Sequence, residues 1–150
     1  MKQIRLVVHA SDFSSASRPA LRKAVEICKS TRARLLIIHA VAPTPPLLTD
    51  GVYIMPSTWD DIAKHGRRAA ERRIAKILQG LKRSGVRAEG LIVQGEAAEQ
   101  IVRVARARHV DILVVGAHGR TGFSRSFVGS VAERVMAIAS CPVLTVPARR

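Results

Sequence analysis

Aromatic residues, cysteines and acidic residues are all scarce in this chain. Only 3% of its 150 residues are Phe, Trp or Tyr, so the stacking platforms on which many proteins bind single-stranded nucleic acid are missing. The two cysteines, Cys28 and Cys141, stand far apart without a metal-ligand spacing. This composition therefore indicates neither a disulfide framework nor a zinc site.

Long hydrophobic runs are also absent. Runs such as residues 35–42 are far shorter than the roughly 20 apolar residues that cross a bilayer. Residues 1–8 enter a predicted strand without a cleavable signal pattern. We therefore expect a cytoplasmic protein with no membrane segment. The hydrophobic content of 47% and the length predict one domain over residues 1–150.

The shortage of acidic residues leaves a strong positive charge. There are 25 Lys and Arg residues against 11 Asp and Glu, a net charge of +14. Much of the excess lies between residues 64 and 83, where basic and apolar residues alternate at helical spacing. This pattern is typical of a solvated helix face. Binding of nucleic acid or another anionic partner stays an alternative, although no helix-turn-helix or zinc-finger spacing supports it.

Apolar strands and amphipathic helices alternate along the chain. The patterns predict strands over residues 3–9, 34–41, 86–94, 111–116 and 142–146. They predict helices around residues 20–28 and over 58–84, 96–109 and 131–139. Such alternation favours a doubly wound, Rossmann-like α/β fold with five parallel strands, in the order 3-2-1-4-5. Gly90 suggests a bulge, and the proline-rich residues 43–57 suggest a loop or flap.

A glycine-rich segment, residues 116–130, joins the fourth strand to the last helix. Glycine lets backbone N–H groups approach an anion, and a helix N-terminus adds unpaired donors and partial positive charge. The segment therefore predicts an anion site, with Gly129 letting the chain pass close to phosphates. The alternative is a mobile connection.

In a doubly wound sheet, ligands bind beyond the carboxyl ends of the strands, near the reversal of strand order. That rule selects the glycine-rich segment and the loop after the first strand, which carries Asp12. A carboxylate facing a phosphate site fits ribose hydroxyls or a phosphate-bound metal. Asp12 also fits a simpler role, in an Asx-turn or as a helix cap.

These residues carry a resemblance to a known family. The pattern Gly116-x2-Gly119-x9-Gly129-Ser130, with residues 131–135 and 139–144, closely resembles the universal stress protein family. Asp12-Phe13-Ser14 and the helix after it look like that family's first loop and helix. Within the family this glycine pattern marks members that bind ATP. The resemblance therefore implies an ATP-binding regulatory or stress-response module.

The resemblance also implies a set of ligand contacts. Ala10, Ser11 and Asp12 would contact adenosine and ribose, and the backbone of Val41 would contact adenine. Ribose and phosphates would be held by Gly116, Gly119, Arg120, Gly129, Ser130 and Val131. The ligand would be ATP, ADP or AMP, with Mg²⁺ accompanying the phosphates.

A homodimer through the apolar fifth strand is expected, because an uncovered strand edge invites pairing.

Other interpretations remain open. Ser130 to Glu133 has the spacing of a capping box with Ser130 as N-cap, although we favour phosphate for the Ser130 hydroxyl. His9, His39 and His118 lie near strand ends but lack a metal-ligand spacing, and no metal site is predicted.

P-loop, kinase and G-x-S-x-G motifs are absent, so we expect binding rather than catalysis, with slow ATP hydrolysis as the alternative. A flavin site is disfavoured by the few aromatic residues.

Overall fold

The computed structural model describes residues 3–41, 56–118 and 128–148. Strands and helices alternate along these ranges. The strands are β1 (Leu6–Ala10), β2 (Arg34–Val41), β3 (Ala88–Gln94), β4 (Ile112–Gly116) and β5 (Val143–Val146). The helices are α1 (Arg18–Thr31), α2 (Pro56–Arg83), α3 (Ala97–Ala107) and α4 (Ser130–Ile138), and a 3-10 turn, Ser15–Ser17, precedes α1.

The sheet is parallel and has the strand order β3-β2-β1-β4-β5. This confirms the predicted fold class and strand order. The chain moves outward from β1 to β3 and then crosses back to β4, so the order reverses beside β1. The carboxyl ends of β1 and β4 consequently lie next to each other, with Ala10 opposite Val115. That is where a doubly wound sheet places its ligand.

Alternate residues of the central strands enter two apolar layers. Val8, Leu36 and Leu113 pack with α3 and α4 on one face of the sheet. Val7 and Ile37 pack with α1 and α2 on the other face and are fully buried. Because both faces are covered, β2 is apolar along nearly its whole length. The two layers hold the strand ends in fixed positions around the site.

Two glycines shape the end of α2 and its seat on the sheet. Gly85 follows the helix with a φ of 77°, which agrees with the predicted helix end. Gly90 pairs regularly with Ile37, so the predicted bulge is wrong. A Cβ at Gly90 would lie 2.1 Å from Cγ2 of Ile74. The glycine instead lets α2 approach β3 closely.

Other expectations concern the membrane and the residues before α2. Across residues 3–41, 56–118 and 128–148, no helix is long and apolar enough to cross a membrane. Most of the predicted flap, residues 43–55, lies outside the described residues. Its last two residues, Pro56 and Ser57, belong to α2. The helix therefore starts earlier than its apolar pattern predicts.

Candidate functional site

A cavity of about 530 Å³ opens at the carboxyl ends of β1, β2 and β4. Its volume lies within the roughly 300–1,000 Å³ typical of small-molecule sites. The first turn of α4 and parts of α2 and α3 complete its wall. The lining residues are Ala10, Ser11, Asp12, Ser17, Ile38, His39, Ala40, Val41, Gly66, Ala97, Ile101, Val115, Gly116, His118, Gly129, Ser130, Val131 and Ala132.

Most of the residues singled out from the sequence lie in this cavity. They are Ala10, Ser11, Asp12, Val41, Gly116, Gly129, Ser130 and Val131. Gly119 and Arg120 belong to residues 119–127, outside the described part of the chain. Among the described residues that line the cavity, none is Lys or Arg. Any anion held by these residues would therefore meet backbone N–H groups and no lysine or arginine side chain.

The loop after β1 is shaped by its own polar side chains. Oδ1 of Asp12 accepts hydrogen bonds from the backbone N of Ser14 at 2.9 Å and from its hydroxyl at 2.6 Å. Oγ of Ser11 accepts one from the backbone N of Phe13 at 3.2 Å. Asp12 therefore forms the Asx-turn considered as its simpler role, and it also lines the cavity. The turn fixes the direction of a carboxylate at the cavity wall.

The wall formed by β2 and α3 is apolar. Ile38, Ala40, Val41, Ala97 and Ile101 contribute hydrocarbon surface to it. The carbonyl oxygen of Val41 accepts a hydrogen bond from the backbone N of Gly95 at 3.0 Å, and a carbonyl oxygen has a second lone pair for another donor. A flat apolar group such as a nucleobase fits this side.

The first turn of α4 presents unpaired donors on the other side. Gly129 is the N-cap and supplies no side-chain hydrogen bond, and no side chain among the described residues caps the backbone N–H groups of Ser130, Val131 and Ala132. These donors and the positive end of the helix dipole favour an anion. The backbone N of Gly129 itself donates to the carbonyl oxygen of Ala117 at 2.7 Å. That bond anchors the start of the helix beside the end of β4.

The capping-box alternative for this turn does not form. Ser130 is the first helical residue and not the N-cap. Its position is set by the bond between Gly129 and Ala117, which the local spacing does not encode. Gly129 has φ −63° and ψ 148°, an extended conformation that any residue adopts. Glycine is therefore not required there for a positive φ, although it leaves the helix start uncapped.

Gly116, at the end of β4, has a steric reason to be glycine. A Cβ there would lie 3.3 Å from the carbonyl oxygen of His118 and 3.5 Å from that of Ala16. Both neighbours are backbone atoms, which yield less readily than a flexible side chain. The glycine keeps the end of β4 close to the turn that precedes α1, at the wall of the cavity.

Three histidines near the strand ends have different surroundings. Nδ1 of His39 donates to the carbonyl oxygen of Ser11 at 2.8 Å, whereas Nε2 of His118 is buried without a hydrogen-bond partner among the described residues. Both side chains line the cavity. His9 lies in the core, where burial lowers its pKa from 6.5 to about 4. No metal-ligating cluster forms among residues 3–41, 56–118 and 128–148.

Other contributors to the site were not recognised as ligand residues from the sequence. Ser17 and Gly66 line the cavity, and Phe13 stacks on His39 with a ring-centroid distance of 4.2 Å. The guanidinium of Arg73, on α2, lies over the Phe13 ring, 5.6 Å from its centroid. His39 could have been found by its place at the end of β2. Gly66 has no local signal, because α2 reaches the cavity through a tertiary contact.

Comparisons with known proteins agree on one family. The sequence profile of the universal stress protein family matches residues 3–147. Universal stress protein YxiE of Bacillus subtilis is 34% identical over 91% of this chain and 95% of its own length. Universal stress protein MJ0531 of Methanocaldococcus jannaschii is 31% identical, over 93% of this chain and 80% of its own length.

Solved structures show the same fold. Protein MJ0577 of Methanocaldococcus jannaschii superposes with a TM-score of 0.86 at 22% identity, covering 99% of each chain. A universal stress protein in complex with cAMP gives 0.72 at 23% identity, with 99% of this chain and 100% of that chain covered. The Archaeoglobus fulgidus protein in complex with dAMP gives 0.65 at 21% identity, with 97% and 98% covered.

Proposed function

Because the chain belongs to the universal stress protein family, we propose that its cavity binds an adenine nucleotide, ATP or its relatives ADP and AMP, as a regulatory stress-response module. The observation that carries this proposal is the first turn of α4, which no side chain of the described part of the chain caps. Three successive backbone donors, on Ser130, Val131 and Ala132, border a cavity that also contains the Asp12 carboxylate. Phosphates suit the donors, and ribose hydroxyls suit the carboxylate.

Further observations support this ligand. The apolar wall at Val41 and Ile101 offers a surface for adenine. Nε2 of His118, buried without a hydrogen-bond partner among residues 3–41, 56–118 and 128–148, gives a ligand oxygen or nitrogen a hydrogen-bonding partner, and a buried polar atom without one is costly. Two proteins with the same fold hold cAMP and dAMP, which are adenine nucleotides. Mg²⁺ would arrive with the phosphates, with Asp12 as the nearest carboxylate of the lining.

The decisive experiment gives the helix a cap. In the variant Gly129→Asp, a carboxylate at the N-cap would accept hydrogen bonds from the first-turn N–H groups and repel phosphate. We expect ATP affinity to fall at least about tenfold, roughly 1.4 kcal/mol, in isothermal titration calorimetry, while thermal stability stays equal or rises slightly. Gly129→Asn adds a neutral cap and separates occupation of the donors from charge.

Gly80→Asp is the matched control. It makes the same change of residue type and charge on an exposed turn of α2, where a Cβ would meet nothing within 4 Å. ATP affinity should stay within about twofold of the parent, because a single exposed charge outside the cavity is screened by salt. A folded Gly129→Asp protein that binds ATP as tightly as Gly80→Asp would refute the proposed phosphate site.

The fifth strand supports a second part of the proposal, a homodimer. β5 is an edge strand of the sheet, and Leu144 on it is 36% exposed. Its outer side offers unpaired backbone groups to another strand. Light scattering should give the mass of a dimer for the parent and of a monomer for Leu144→Lys. A parent protein that stays monomeric at micromolar concentration would remove this part.

A further inference from the structure

The outer face of α2 carries basic residues that the nucleotide site does not use. Between residues 62 and 88 the chain has nine Lys and Arg residues and one acidic residue, Glu71. Glu71 pairs with Arg67, with Oε1 of Glu71 and Nε of Arg67 3.2 Å apart. The remaining positive charge of this segment therefore has little compensation from its own sequence.

Five of these residues form one row on the helix. Lys64, Arg68, Arg72 and Lys76 follow at four-residue spacing, and Arg83 returns to the same side seven residues later. At 1.5 Å of rise per residue, the first four lie about 6 Å apart along the helix axis, Arg83 lies about 10.5 Å beyond Lys76, and the row spans about 29 Å. All five residues are exposed. We call these five residues the α2 basic row.

No carboxylate of the described residues forms an ion pair with this row. The row leads to a groove of about 710 Å³ between the end of α2 and the start of β3, whose charged lining residues are Lys82 and Arg87. Nη2 of Arg87 donates to the carbonyl oxygen of Arg32 at 3.1 Å, which fixes its guanidinium at the rim. The positive surface therefore continues beyond the helix.

We propose that the α2 basic row binds the phosphodiester backbone of double-stranded nucleic acid without sequence specificity. A regular array of similar cations matches a long array of similar phosphates, and neutralising them releases condensed counterions. Contacts from such side chains to phosphates position a protein on a duplex but carry no sequence information directly.

A membrane surface fits this helix less well. Insertion into lipid headgroups needs an apolar helix face, and that face of α2 is already occupied, since Ile74 and Leu81 are 5% and 8% exposed. The row also lies on the side of α2 opposite these two residues. The proposal does not rest on the nucleotide site, so either can fail alone.

The test compares two triple variants with the same loss of charge. Arg68→Gln, Arg72→Gln and Lys76→Gln are combined in the row variant. Arg22→Gln, Arg103→Gln and Arg106→Gln, all at exposed positions of α1 and α3, form the control variant. The probe is a fluorescein-labelled DNA duplex of 20 base pairs with mixed sequence, and binding is followed by fluorescence anisotropy between 50 and 200 mM KCl.

For the parent we expect the logarithm of the association constant to fall against the logarithm of salt with a slope of about −4.5, from five phosphate contacts at about −0.9 each. The row variant should lower that magnitude by about 2.7 and lose at least about thirtyfold in affinity at 50 mM salt. The control variant should lose less than about threefold. Circular dichroism confirms folding, and the single change Arg72→Gln, with a slope change of about 0.9, serves if the triple variant is unstable.

Three results would overturn the proposal. Equal weakening by both triple variants would assign the binding to net charge alone. Absence of duplex binding by the parent at 50 mM salt would remove the function. Row-dependent binding to phosphatidylserine vesicles without binding to the duplex would assign the surface to membranes.

Discussion

The carboxyl end of the sheet and the outer face of α2 are both suited to anions, but by different means. At the carboxyl end, no described cavity-lining residue is Lys or Arg, and the donors are backbone N–H groups at the start of α4. On α2, five exposed cations are carried on flexible side chains. The net charge of +14 thus says little about the cavity.

This difference has a physical consequence for selectivity. Backbone donors are fixed by the helix and address a single anion at one distance, whereas lysine and arginine side chains adapt to any phosphate within reach. The cavity is therefore suited to one small ligand and the row to a polymer.

The largest expected effect is in salt dependence. Raising KCl from 50 to 200 mM should weaken duplex binding by several hundredfold, the result of a slope of about −4.5. ATP binding should weaken by less than about fivefold, because partly buried contacts are screened less. Parallel titrations by anisotropy and calorimetry measure both. Equal salt dependence of the two ligands would erase the distinction.

The second largest effect is in the pH dependence of stability, because burial disfavours the charged form of His9. His9 is fully buried, its Nδ1 donates to Val114 O at 3.2 Å, and its pKa is lowered to about 4, mainly by burial. Between pH 6.5 and 4 the unfolded chain takes up a proton that the folded chain does not. The free energy of unfolding should therefore fall as the pH is lowered, by about 3 kcal/mol from this residue.

Urea denaturation of the parent and of His9→Gln at pH 7 and pH 4 isolates this contribution. The variant should lose about 3 kcal/mol less between the two pH values, because it has no proton to bind. The same acid loss in both proteins would mean that His9 is charged or accessible in the folded state.

A third, smaller effect concerns how α2 is held on the sheet. Gly90→Ala would place a Cβ 2.1 Å from Cγ2 of Ile74, so we expect a loss of about 2 kcal/mol in stability. Gly80→Ala, at an exposed position of α2, should instead raise the free energy of unfolding by about 0.5–1 kcal/mol. Chemical denaturation decides both signs. A neutral Gly90→Ala would show that α2 is seated loosely.

The smallest effect tests a contact between the two regions. Arg73 of α2 lies 5.6 Å from the ring centroid of Phe13, which stacks on the cavity residue His39. At an exposed site this cation–π contact is worth about 0.5 kcal/mol. A double-mutant cycle with Arg73→Gln and Phe13→Leu should return a coupling of that size. A coupling of zero would leave the two regions independent.

The sequence predicts the strands well where a strand is covered on both faces. β2 forms over residues 34–41 as predicted, because its apolar run is continuous. β1 begins at Leu6 and not at residue 3, because its register pairs Leu6 with Arg34, the first residue of β2. β3 likewise begins at Ala88, opposite Leu35. Strand limits are set by the partner, which a single strand's pattern does not contain.

In the candidate site, too, the sequence predicts the residues that topology places and misses those that tertiary contacts place. Asp12 and Gly116 follow strands at the carboxyl end of the sheet, so topology alone places them at the cavity. α4, predicted from residue 131, begins at Ser130, where a bond between Gly129 and Ala117 anchors it, and the capping-box spacing around Ser130 is only local. Gly66 was missed for a related reason, since it reaches the cavity from a helix far away in sequence.

The central position of β1 has a consequence for synthesis of the chain. One neighbour of β1, β2, follows it closely in sequence, but its other neighbour is β4, and the Asp111 carboxylate that binds the Arg5 backbone N follows 106 residues later. At ribosomal rates of about 5–20 residues per second, roughly 5 to 20 s separate the two segments. During that interval the nascent chain lacks the second neighbour of its central strand. Translation speed and chaperone contact over that stretch therefore matter more to this topology than to one built from neighbouring strands.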